Sequence, residues 1–309
     1  MGELVWGSRL MERTIVGPVL RAARPNFLTL TPVCVLIGIG AALQTHVHVS
    51  VAECLLVLLG ALLAHISVNL LNEYDDIRSG LDSLTVRTPF SGGSGSLPAH
   101  PEAAAATRAA GLLCLCASAA VGLYFVYEKG VALLPLGLAG LLLVVAYTPL
   151  VTRRPLLCLL APGIGFGPFM VLGTAFVLGG RYSWIAVVAS LPPLCLVSEL
   201  LLINQFPDID ADRAVGRRHL PIVLGRRRSA VLFGVLVVAA FSTVAIGVVG
   251  GILPPLALLG LVPLPVGLFL ARQVFVSADD LPRLIPNLGI NVAMIHLTLL
   301  LFAIGLLFG

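Results

Sequence analysis

The stretch AECLLVLLGALLAHISVNLLNEYDDIRSGLD, residues 52–82, passes from an apolar run into a cluster of carboxylates without a turn residue between them. A bilayer core of about 30 Å asks for roughly 20 apolar residues in a helix rising 1.5 Å per residue, and residues 52–71 meet that length. Polar groups enter the run at His65, Asn69, Asn72 and Asp76, at intervals of four, three and four. That spacing predicts a single helical face. Such groups are costly against lipid, so the face is expected to line the bundle interior or a wet cavity. The segment therefore reads as a membrane helix whose end carries a site.

The rest of the chain supports this class. Of 309 residues, 58% are hydrophobic and only 11% charged, which leaves too little polar surface to cover a soluble domain. Nine runs approach spanning length: 27–44, 52–71, 104–127, 131–149, 157–178, 184–204, 229–248, 252–271 and 287–308. Nine spans place the segments before Phe27, at 72–103, at 150–156, at 205–228 and at 272–286 on one side. Together with the adjoining Arg108, these segments hold 17 of the 19 basic residues and leave Lys129 and Arg181 opposite. By the positive-inside rule the richer side is cytoplasmic, in a cell inner membrane, with the N-terminus inside and the C-terminus outside. The expected architecture is an all-α polytopic bundle of nine transmembrane helices. Residues 1–26 form a basic cytoplasmic segment including Arg9, Arg13, Arg21 and Arg24, and 27–309 form one intramembrane domain with active-site loops at 72–103 and 205–228. The six cysteines lie in or beside apolar runs without CxxC spacing and read as small hydrophobes. No basic and aromatic surface argues for nucleic acid.

Two loops carry the chemistry. In the first, Glu73, Asp75, Asp76 and Asp82 place four carboxylates within ten residues. Such a cluster repels itself unless a cation sits in it, and hard oxygen donors select magnesium or calcium, with Mg2+ preferred when phosphate oxygens complete the shell. In the second, Asn204, Asp208 and Asp212 recur every four residues and point together on a helix, with Asp210 on another face. Pro207 is expected to bend or end that helix. If the motifs face one another, they surround a gap suited to a diphosphate bridged by magnesium. The metal would neutralise the leaving charge, and a dry wall would protect an allylic cation from water. Arginines complete an anion site, with Arg87 and Arg153 favoured for diphosphate contact because their segments cover the pocket. Arg217 has two readings, diphosphate contact or topology. Arg226 to Arg228 read as topology and lipid headgroup contacts.

NEYDDIRSGLD at 72–82 resembles the first motif of the UbiA superfamily of intramembrane prenyltransferases, and NQFPDIDADRAVGRR at 204–218 resembles its second. YTPLVTRRP at 147–155 and GPFMVLGT at 167–174 are similar to two further family stretches. The resemblance covers residues from about 21 to 305. It implies that Asn72, Asp76, Asp208 and Asp212 bind metal or diphosphate, that Asn204 supports the second group, and that Tyr147 lines the pocket near the reactive allyl carbon. Glu73 stands at a usual aspartate position, a longer carboxylate that binds metal with altered reach, and Asp82 joins the metal-binding set. The Gly80-Leu81-Asp82 arrangement looks like the menaquinone branch, which prenylates 1,4-dihydroxy-2-naphthoate. Leu156 to Leu159 stand where the family often carries Gly-x-Gly-Glu.

The expected activity is thus Mg2+-dependent transfer of a polyprenyl group from prenyl diphosphate to an aromatic acceptor, most closely 1,4-dihydroxy-2-naphthoate with decarboxylation, in contact with membrane lipids. Prenylation of 4-hydroxybenzoate or of a glycerol-phosphate lipid, an ion-coupled transporter and a noncatalytic scaffold are the alternatives. Further candidate substrate contacts are His65 and Asn69 on the motif face and Glu199 within the sixth run; a satisfied bundle histidine is the plainer account of His65, and for Glu199 a structural hydrogen bond and an acceptor contact stand about even. His219 lies beside the second motif, and Asp279 and Asp280 read as a solvated acidic turn. His46 and His48 have no third ligand. Residues 91–96, SGGSGS, lack the ending of a nucleotide P-loop and are expected to form a flap or a plain connector.

Overall fold

The structure is a computed structural model describing residues 15–309, all of whose regular elements are helical. The expectations placed on Arg9 and Arg13 lie outside the described residues. A short helix α1 (Val16–Ala22) precedes α2 (Pro25–Leu43), α3 (Val51–Ser79), α4 (Pro101–Lys129), α5 (Val131–Ala146), α6 (Pro155–Gly179) and α7 (Trp184–Asn204). After the short α8 (Ile209–Ala214) come α9 (Arg226–Val249), α10 (Pro255–Val276) and α11 (Leu281–Phe308). Among the described residues eight helices are long and apolar enough to cross a membrane. The run expected at 131–149 forms α5, which opens with a tight turn after Gly130 and stops before Tyr147. At about 1.5 Å per residue it reaches about 24 Å, short of a full hydrocarbon core.

Sequence chemistry explains where the helices begin and end. Prolines 25, 101, 155 and 255 stand in first turns, where a missing N–H leaves nothing unsatisfied. α3 ends at Gly80, which adopts φ 76° and returns its N–H to the last turn, a left-handed cap that a side chain would disfavour. The 29 residues of α3 span about 43 Å, so its last turns overrun the hydrocarbon core and lift Asn72 to Ser79 toward the membrane surface. Within α6 a π-helical stretch runs from Gly165 to Leu172, beside Pro162 and around Pro168. Proline there withholds a donor and crowds the preceding turn, which displaces the regular ladder.

α7 is the hub of the bundle. Its residues from Cys195 to Leu200 are all buried, and Phe206, Phe233 and Phe302 are sealed in the surrounding core. On the periphery, Leu113 of α4 and Leu142 of α5 are 71% and 68% exposed, as lipid-facing side chains are. Glycine lets the central helices touch backbone to backbone: a Cβ on Gly163 of α6 would sit 2.2 Å from both the Leu194 carbonyl oxygen and the Ser198 Oγ of α7. Gly163→Ala is therefore expected to force these helices apart and cost about 1–3 kcal/mol, as overpacking does. Thermal unfolding in detergent measures this, and an unchanged midpoint would show that the contact yields freely.

Candidate active site

The end of α3 and the end of α7 open into one cavity of about 1090 Å³. Its inner reach is apolar, walled by Val57, Phe125, Leu133, Phe169 and Val177. At its other end His65, Asn69, Asn72 and Asp76 all line the wall, as the continuous helix α3 requires of residues spaced four, three and four. Opposite them α7 stops at Asn204, a turn carries Pro207, and α8 begins after Asp208. The break brings Asn204, Asp208 and Asp212 onto the same cavity, which Asp82 and Tyr147 also line.

Arg217 joins the two motifs. Its Nη2 donates to Asp76 Oδ1 and its Nη1 donates to Asp212 Oδ1 at 3.0 Å. The second oxygen of Asp212 meets His219 Nε2 at 2.9 Å. Asn72 donates to Thr148 Oγ1 at 3.2 Å and to Asp76 Oδ1 at 3.4 Å. A planar fork with fixed donors suits this bridge, because each arm can serve a carboxylate from a different helix.

The segment 88–96 folds over the motifs as a flap. Gly92, Gly93 and Gly95 have φ of 82°, 74° and 72°, and a Cβ on Gly92 would lie 2.8 Å from Thr85 Cγ2 and 3.0 Å from the Arg87 Cα, so the turn needs glycine for its handedness and, at Gly92, for its close approach to the backbone. The flap residues Ser91 and Gly92 line the same cavity as Asp208. Burial, followed by the charge of Asp212, pushes Asp208 up to about 7. Asp82 is pushed up to about 6, first by burial and then by the charge of Glu73. Both shifts come first from burial and second from a neighbouring carboxylate.

Three buried oxygens at this end have no hydrogen-bond partner: Asp82 Oδ2, Asn204 Oδ1 and Asp208 Oδ1. Carboxylate and amide oxygens are the donors that hard divalent cations take, so the residues present fit such an ion. Among the described residues no three His, Cys, Asp or Glu side chains close on one point. The acidic groups are divided between two walls, and an ion held there needs oxygens from a bound anion as well.

Other expected residues are placed differently. Glu73 does not line the cavity; its carboxylate is held by Arg24 and Ser94. Arg87 packs against the flap glycines, and Arg153 lines a separate cleft of about 230 Å³ with Asp75, Arg78 and the shared Thr152 and Arg217. Neither Arg87 nor Arg153 lines the main cavity, whereas Arg24 and Arg217 do. Glu199 lies wholly buried behind the wall and accepts from Asn291 Nδ2 at 2.9 Å. His65 Nδ1 meets Thr31 Oγ1 at 2.8 Å, and Asn69 donates to the Ala23 carbonyl at 2.9 Å. Asp279 and Asp280 pair with Arg227 and Arg283 on the surface. Arg24, Thr148 and Ser94 are site residues that motif reading missed. Their partners lie 49, 76 and 21 positions away in sequence, so no local spacing marks them.

The 1,4-dihydroxy-2-naphthoate octaprenyltransferase of Bacillus subtilis (strain 168) is 28% identical over 247 residues, 79% of this chain and 76% of that protein. Among solved structures, one of digeranylgeranylglyceryl phosphate synthase aligns with a TM-score of 0.67 at 16% identity, covering 95% of this chain and 99% of the other. A UbiA homolog from Archaeoglobus fulgidus bound to GPP and Mg2+ aligns with a TM-score of 0.60 at 14% identity, covering 92% of this chain and 99% of the other. The description of the UbiA prenyltransferase family matches residues 32–284, and with more than half of its length so matched, this chain belongs to that family.

Proposed function

We propose that this prenyltransferase moves a polyprenyl group from prenyl diphosphate to an aromatic acceptor, with Mg2+ held between its two acidic motifs. The observation that carries the reading is the polarity of one cavity: acidic walls with three unpartnered oxygens at one end, apolar walls at the other. An amphipathic donor with a charged head and a hydrocarbon tail matches both ends. Asp76, Asp82, Asp208 and Asp212, with Asn72 and Asn204 beside them, would hold the metal. When bound, it supplies positive charge against the diphosphate as the carbon–oxygen bond breaks.

The chain's own groups do the rest. Arg217 and Arg24 draw the diphosphate to the motif end and share its charge. The apolar walls align the tail and keep water from the allylic cation formed as diphosphate departs. Tyr147 presents an aromatic face to that cation. An electron-rich ring carbon attacks, and the new carbon–carbon bond replaces the bond to oxygen. Similarity to the Bacillus subtilis enzyme, together with the Gly80-Leu81-Asp82 pattern, favours 1,4-dihydroxy-2-naphthoate, whose carboxyl leaves as carbon dioxide when its carbon takes the prenyl group. Glu199, enclosed with Asn291 behind the wall, does not serve as the base for this ring. By the positive-inside rule the basic loops favour a motif end at the cytoplasmic face of the inner membrane, with the C-terminus outside.

Purified protein given magnesium, prenyl diphosphates and a panel of acceptors should yield a decarboxylated prenyl naphthoquinol, identified by mass. Product from 4-hydroxybenzoate with its carboxyl retained, or from a glycerol-phosphate lipid alone, would replace this acceptor. Asp76→Ala and Asp208→Ala should each lower kcat by about 100-fold or more, as loss of transition-state charge stabilisation does. Excess chelator should stop turnover of the unaltered enzyme; full turnover in chelator would refute the metal assignment.

A further inference from the structure

We propose that Glu73, although it sits within the first acidic motif, is a positioning residue that latches the flap and the N-terminal helix over the cavity, and that the metal shell is built without it. Its two carboxylate oxygens already receive four donors. Oε1 accepts from Arg24 Nε at 2.8 Å, Arg24 Nη2 at 2.6 Å and the Ser94 amide at 2.7 Å. Oε2 accepts from Ser94 Oγ at 2.7 Å. A carboxylate offers about four lone-pair sites, two on each oxygen, so Oε1 is saturated and Oε2 holds one donor. The side chain is 1% exposed and does not line the cavity. The contrast lies next to it: Asp82, at the cavity surface, keeps a buried oxygen with no partner, as Asp208 does on the opposite wall. Unpartnered oxygens at the cavity are where an ion can bind, and both Glu73 oxygens are partnered and turned away from it.

What Glu73 joins gives the latch its purpose. Arg24 hangs at the end of α1 in a left-handed conformation, φ 52°, and its Nη2 also reaches Asn72 Oδ1 at 3.3 Å. Asn69 holds the neighbouring Ala23 carbonyl. On the flap side, Ser94 Oγ also accepts the Ser96 amide at 3.0 Å, and Ser96 Oγ donates to the Pro18 carbonyl of α1 at 2.8 Å. One buried carboxylate therefore ties α3, α1 and the flap together. The same flap carries Ser91 and Gly92, which line the cavity together with Asp208. Fixing Ser94 thus fixes the flap residues that share the cavity with the second motif. The length of the side chain matters: aspartate would fall short of Ser94 and Arg24 by about one carbon–carbon bond, ~1.5 Å.

This inference rests on the proposed prenyl transfer for its consequence and on the protein alone for its first test. In the metal-free protein, amide hydrogen exchange of residues 88–96 should quicken by about tenfold or more in Glu73→Gln and in Arg24→Ala, with no further gain in the double variant, because both remove one latch. Asp76→Ala, which touches no flap residue, should leave that exchange near the unaltered rate. In turnover, Glu73→Gln should raise KM for prenyl diphosphate while its magnesium half-saturation stays within about twofold of the unaltered enzyme, whereas Asp76→Ala should shift that half-saturation by about tenfold or more. Glu73→Asp should follow Glu73→Gln. Unchanged flap exchange, or a magnesium shift in Glu73→Gln matching that of Asp76→Ala, would overturn the latch. If Glu73→Gln does not fold, Arg24→Ala alone decides through the exchange. Failure of the acceptor assay would leave the exchange result standing.

Discussion

The protein is organised around the cost of holding several carboxylates close together inside a membrane bundle. Like charges in a medium of low polarisability repel strongly, and each also loses its water. The structure meets this with two arginines that reach in from distant parts of the chain. Arg217 spans Asp76 and Asp212, and Arg24 fills the Glu73 carboxylate. The compensation is deliberately incomplete at Asp82 and Asp208, whose open oxygens and raised pKa mark the place where positive charge is still wanted.

The helical frame serves this arrangement in specific ways. α3 is longer than the hydrocarbon core, so its last turns lift the first motif to the membrane surface while staying rigid. α7 stops at Asn204 near Pro207, and the restart in α8 turns the second motif back over the same space. Glycines such as Gly163 let α6 and α7 pack closely, which closes the bundle behind the cavity. The apolar half of the cavity then needs no special device; it is the inner face of helices that are apolar because they live in lipid. Polar and apolar walls thus share one chamber with a single polar end.

Much of the site was legible in local spacing. The four, three, four rhythm of His65, Asn69, Asn72 and Asp76 states a helical face, and the structure puts all four on one cavity. Asn204, Asp208 and Asp212 likewise share it, although by a helix break and restart. Arg87 and Arg153 show the limit of the method. Both lie in loops beside the motifs, yet Arg87 packs on the flap and Arg153 turns to the neighbouring cleft. Arg24, which counts in a hydropathy reading as an orienting charge, and Arg217, which reads equally as an orienting charge or a diphosphate contact, are the cations that reach the carboxylates. A loop's position in sequence does not state where a long flexible side chain ends.

From the sequence alone come the membrane class, the approximate positions of the apolar helices, and the two acidic clusters with their order along the chain. These depend on hydropathy, proline and glycine chemistry and helical period, all of which act over a few turns. Tertiary structure alone decides that the clusters face each other, that Arg217 stands between them, that Glu199 is shut behind the wall and that Glu73 holds the flap. Each of these is a contact between groups far apart in the chain, and only the packing of helices sets how near such groups come.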